Sequence, residues 1–189
     1  MKFAAKDVPS PSGGRLGWGW VDGNFLRWLA LSGVILIVDQ FTKFVITSSF
    51  ALHEVVQVTP FFNLVLVHNP GAAFSFLSDA AGWQRGFFIA IALAASVWIV
   101  YLLRKYPQQT LFCWALSLVL AGAVGNVIDR ILFGAVVDFL DFHAYGWHWP
   151  AFNVADSAIT CGAALLIWDG LRPHKTKTLE PPMNADKRR

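Results

Sequence analysis

Charged residues are scarce in this chain. Only 14% of its 189 residues are Asp, Glu, Lys or Arg, and 56% are hydrophobic, with a mean hydropathy of +0.50. An ordinary soluble domain carries about 25% charged residues, so a single water-facing globule is excluded, as are disordered and coiled-coil chains. Cysteine is almost absent. Cys113 and Cys161 both lie inside apolar runs, which excludes a disulfide framework and a cysteine-based metal site. A net charge of +3 is too mild for a nucleic-acid partner. The length leaves room for one domain. What remains is an integral membrane protein surrounded by membrane lipids.

Four apolar stretches, at 28–46, 87–103, 111–129 and 152–168, each approach the ~20 residues that cross a bilayer as a helix. The first carries Asp39 and Lys43, four apart and so on one helical face. A cleaved signal peptide is the alternative for that stretch, and these two charges directly after its apolar core argue against it. Of the 15 basic residues, 12 lie before the first span, between the second and third, or after the fourth. The positive-inside rule then predicts cytoplasmic termini, with 47–86 and 130–151 on the other side.

The outer segments have patterns of their own. Residues 54–58 and 61–67 are rich in β-branched and aromatic types around Thr59-Pro60 and read as a hairpin. Residues 72–85 mix Phe74, Phe76, Leu77 and Trp83 with polar residues, which suits an amphipathic segment at the membrane surface. The fold expected is an all-α membrane protein: a four-transmembrane-helix bundle with a small extracytoplasmic β-hairpin/loop region. Residues 1–25 read as a mobile tail, 26–172 as one membrane domain and 173–189 as a basic cytoplasmic tail.

Ionisable groups in or beside a spanning helix are costly, which makes them functional candidates. Asn126, Asp129 and Arg130 share one face of the third span, and Asn153, Asp156, Ser157 and Thr160 one face of the fourth. Asp138 sits in the apolar Val136-Val137-Asp138-Phe139 stretch. Asp129 is expected to pair with Arg130, Asp39 with Lys43, and Asp141 to be solvated. Two carboxylates close together in a low-dielectric site share a proton and can act as acid and base on one water. Periodicity leaves open whether Asp156 partners Asp138 or Asp129. A serine route lacks a placed histidine. A metal site from Asp138, Asp141, His143 and His148 matches no helical ligand signature. A proton- or ion-coupled transporter is the rival class, although the missing internal repeat weighs against it.

Four ordered blocks are similar to those of the lipoprotein signal peptidases (signal peptidase II): Asn69-Pro-Gly-Ala-Ala-Phe-Ser75, Gly125-Asn-Val-Ile-Asp-Arg130, Val136-Val-Asp-Phe139 and Phe152-Asn-Val-Ala-Asp-Ser157. Asp39 and Lys43 fit the same pattern, and the resemblance covers residues 26–172. It implies a bacterial inner-membrane aspartic endopeptidase without cofactor or metal. Such an enzyme acts as a monomer on diacylglyceryl-modified prolipoproteins and cuts just before the lipidated cysteine, near the outer membrane face. It further implies Asp138 and Asp156 as the catalytic pair. Asn69, Asn126, Arg130 and Asn153 would surround the pair and hold substrate, Asp129 would anchor Arg130, and Asp39 with Lys43 would support the fold.

Overall fold

The computed structural model describes residues 23–71 and 83–172. Its helices are α1 (Gly23–Ser49), α2 (Trp83–Lys105), α3 (Thr110–Phe133) and α4 (Val154–Leu171), each long and apolar enough to cross a membrane. Residues 23–25, expected to be tail, already belong to α1, and Trp83 to Arg85 open α2 instead of closing a surface segment. The rest of that amphipathic segment, 72–82, and the remaining tails, 1–22 and 173–189, lie outside the described residues.

Between the helices, β1 (Val55–Thr59), β2 (Phe62–Asn69), β3 (Val136–Ala144) and β4 (Trp147–His148) pair antiparallel in the order β1-β2-β3-β4. The expected hairpin is the first half of this sheet. Strand β3 is the addition, and it was illegible because its first five residues are buried or nearly so on both faces, leaving no polar–apolar alternation. Tyr145 and Gly146, with φ of 52° and 78°, form a two-residue turn that carries β3 into β4. Positive φ at both central positions is the hairpin geometry that matches strand twist.

Helix α3 is the central one. In its most apolar window 56% of residues are inside the protein, against 22%, 17% and 17% for α1, α2 and α4. It stops at Gly134, whose φ of 79° lets its N–H turn back to the Arg130 carbonyl. Arg85 from α2 donates to the Ile131 carbonyl at 3.1 Å and so places a cation on the same helix C-terminus. Two residues beyond Gly134 the chain becomes β3. One apolar cluster, including Phe25, Leu103 and Leu116, fills the end where Trp28 Nε1 donates to the Pro107 carbonyl. A second, Ile46, Leu66, Val137 and Phe139, packs the sheet onto the opposite end. Asp129, Asp138, Asp141 and Asp156 all gather at that sheet end.

Candidate active site

Asp39 and Lys43, one turn apart on α1, meet at 2.8 Å, and Lys43 Nζ also reaches Asp129 of α3 at 2.7 Å. All three are almost wholly inaccessible, at 0%, 3% and 1% exposure. Buried charges persist only when paired and hydrogen-bonded. Here both carboxylates also take backbone donors. Asp39 Oδ1 accepts from the Ala155 N–H at 2.8 Å, and Asp129 Oδ2 from the Val137 N–H at 3.2 Å. Gln40 Nε2 donates to Asp39 Oδ2 and Asp129 Oδ1, each at 3.1 Å. Gly125 makes room for Asp39, since a Cβ there would stand 2.5 Å from its Oδ2. The cluster thereby fixes the starts of both α4 and β3.

Those two starts carry the other two carboxylates. Asp138, the third residue of β3, is 2% exposed. Its Oδ2 accepts from Asn69 Nδ2 at 3.0 Å and its Oδ1 from Asn153 Nδ2 at 2.7 Å. Asn153 caps α4, its Oδ1 accepting from the Asp156 N–H at 2.8 Å. Asp156 Oδ1 accepts from Asn126 Nδ2 at 2.8 Å, and Asn126 Oδ1 receives Lys43. Neither Asp138 nor Asp156 belongs to an ion pair among the described residues. Burial pushes the Asp138 carboxyl up to about 7; repulsion from Asp156 adds to this, while Asn69, Asn153 and Lys43 oppose it.

Both carboxylates line a cavity of about 930 Å³ with Asn69, Phe88, Arg130 and Phe152. The Arg130 guanidinium lies 5.3 Å from the Phe88 ring and donates to the Asn126 carbonyl, and its buried Nε has no hydrogen-bond partner among the described residues. Two acids in one cavity, one with its titration drawn to neutrality, suit acid–base work on water.

A family model described as Signal peptidase (SPase) II matches residues 31–172. This chain belongs to the signal peptidase II family. The lipoprotein signal peptidase of Janthinobacterium sp. (strain Marseille) is 58% identical over 79% of this chain and 90% of that protein. That of Paraburkholderia phymatum is 55% identical over 79% of this chain and 90% of that protein. A bacterial membrane enzyme solved by the in meso method at 2.3 Å resolution superposes with a TM-score of 0.70 at 34% identity, covering 82% and 93% of the two chains. Signal peptidase II is a family of peptidases, so the transporter alternative is set aside.

Within this member of the family, the structure corrects three expectations. Asp129 does not pair with Arg130 but with Lys43, since consecutive helical residues point about 100° apart. Asp141 is not solvated; it is 7% exposed and held by Asn63 Nδ2 at 2.8 Å and His148 Nδ1 at 2.9 Å. Asn153 is not on the face of the fourth span but is its cap, so Asn153 and Asp156 are placed differently from Asn126 and Asp129, which share the same spacing. The Asp138, Asp141, His143, His148 set is also divided: Asn69 and Asn153 occupy Asp138, whereas Asn63 and His148 occupy Asp141. The sequence reading missed Gln40 and Gly125. Gln40 stands three residues before Lys43 on the same helical face, a spacing that marks it as a neighbour.

Proposed function

We propose that the chain is a membrane-embedded aspartic endopeptidase that removes the signal peptide from diacylglyceryl-modified prolipoproteins, cutting just before the lipidated cysteine. The observation that carries the reading is a buried carboxyl, Asp138, drawn to about 7 by burial and by Asp156, with both groups on one cavity. In this mechanism Asp138 starts protonated and Asp156 ionised. Asp156 takes a proton from water as its oxygen adds to the scissile carbonyl, and Asp138 gives its proton to the carbonyl oxygen. The tetrahedral intermediate collapses as Asp156 returns a proton to the departing cysteine nitrogen and Asp138 recovers its own. Asn69 and Asn153 orient Asp138, and Asn126 orients Asp156. Asp129 acts one step back, through the Val137 N–H, and Asp39 with Lys43 supports the fold. Arg130 faces the same cavity and offers N–H donors to substrate carbonyl oxygens.

The 12-of-15 asymmetry of basic residues supports cytoplasmic termini and a site at the outer face of the inner membrane. All the proposed residues come from one chain, in keeping with a monomer. The deciding experiment incubates detergent-solubilised protein with a lipidated prolipoprotein and no ion gradient. Cleavage by the wild type and none by Asp138→Asn is the expected result. Equal cleavage by both would overturn the assignment.

A further inference from the structure

We propose that Asp141 and His148 form a clasp that positions the 149–152 wall of the cavity, so that they govern substrate binding more than hydrolysis. The proposal rests on the peptidase reading above. That mechanism leaves Asp141 without a task, although burying a carboxylate is costly unless its oxygens are satisfied. They are satisfied here by Asn63 Nδ2 at 2.8 Å and by His148 Nδ1 at 2.9 and 3.0 Å. His143 completes a ring of four side chains drawn from β2, β3 and β4. Its imidazole stacks on that of His148 with centroids 4.9 Å apart, and its Nε2 lies 3.3 Å from Asn63 Oδ1. Burial pushes the Asp141 carboxyl up, but the Asn63 and His148 hydrogen bonds and the two histidines outweigh it and hold the group below its usual range.

The clasp grips a short piece of chain. Strand β4 has two residues, and its ladder to β3 comprises His143 with His148 and Ala144 with Trp147. Directly beyond, Trp149, Pro150, Ala151 and Phe152 line the cavity that Asp138 and Asp156 share. Trp149 N–H reaches the Phe142 carbonyl and Phe152 N–H the Leu140 carbonyl, while Pro150 between them has no N–H to give. Asp138 lines that cavity, whereas Asp141 and His148 are not among its lining residues. The clasp thus holds the wall from outside the cavity, without touching substrate.

The His148 side chain is 55% exposed, which spares the fold when it is changed. In full-length protein cleaving a lipidated prolipoprotein, His148→Leu should raise KM roughly three- to tenfold, as expected for losing one such hydrogen bond. Its kcat should stay within about twofold. Backbone amides of 147–152 should exchange faster, with those of α1 and α3 unchanged. His148→Asn, which keeps an N–H near the Nδ1 position, should restore both readings. Should His148→Leu fail to accumulate, Asp141→Asn carries the same two measurements. A wild-type KM, a loss confined to kcat, or unchanged amide exchange overturns the clasp. Failure of the wild type to cleave overturns the peptidase reading instead, and amide exchange still decides the clasp.

Discussion

Asp39 and Asp129 meet a lysine, whereas Asp138 and Asp156 meet asparagines. The two groups lie at the same end of the bundle and are bridged by Asn126, which accepts from Lys43 and donates to Asp156. A cation at 2.7–2.8 Å on both sides makes the first group a charged staple with every carboxylate oxygen engaged. Neutral amides fix the second group's geometry without supplying a full compensating charge, so the Asp138 carboxyl can exchange its proton near neutrality. Position and protonation are thus controlled by different residues: the lysine cluster sets where α4 and β3 begin, and the asparagines aim what those elements carry.

The largest effect that separates the two groups is on turnover. Asp138→Asn and Asp156→Asn should each lower kcat by about 10²–10⁴-fold or more while the protein still inserts and accumulates. The double variant should be little worse than the poorer single one, since members of one catalytic unit fail together. Turnover surviving in Asp138→Asn would dissolve the contrast. In the lysine cluster the expected loss is stability. Lys43→Met leaves two buried carboxylates without their cation, and breaking such a pair costs about 3–5 kcal/mol. Thermal unfolding in detergent should register this as a large drop in Tm. A Lys43→Met protein of normal Tm would show that Lys43 acts on chemistry alone.

A smaller effect tests the same cluster sterically. Gly125→Ala places a methyl against Asp39 Oδ2, and forcing extra carbon into a packed site costs about 1–3 kcal/mol. The protein should lose Tm and keep kcat once folded. Unaltered Tm would mean that Asp39 can withdraw without loss, and hence that it is not holding α4.

The spans and the Asp39–Lys43 contact were legible because bilayer thickness and helical spacing are one-dimensional rules that act on neighbours in sequence. The family motifs named Asp138 and Asp156. The partner of Asp129 was not legible, because adjacency to Arg130 suggests a contact that helix geometry forbids, while its real partner lies 86 positions away on α1. Strand β3 was hidden for a related reason. It pairs with β2, whose residues lie some 70 positions earlier, and its burial on both faces removes the alternation by which a strand is read. Asp141 looked solvated because the residues that bury it come from β2 and β4. Local rules found the charges; long-range packing decided which of them are neutralised.

The finest test of that division is the titration of Asp138. Its carboxyl is lifted from 3.8 to about 7, chiefly by burial. Between those two values the folded protein holds a proton that the unfolded chain has released. Stability therefore falls as pH rises through this window, and the contribution is flat above and below it. Asp138→Asn should remove that slope and leave the rest of the stability profile intact. Under the proposed mechanism the Asp138 proton is lost above about 7, which gives the activity profile an alkaline limb. Asp156→Asn removes the repulsion between the two groups and should move the Asp138 titration downward, but only part of the way, since burial remains. Infrared titration of the Asp138 carboxyl can follow this in the inactive variant. A carboxyl that ionises near 3.8 in the wild type would mean that the asparagines hold an ordinary carboxylate, and the distinction between the two groups of aspartates would fail.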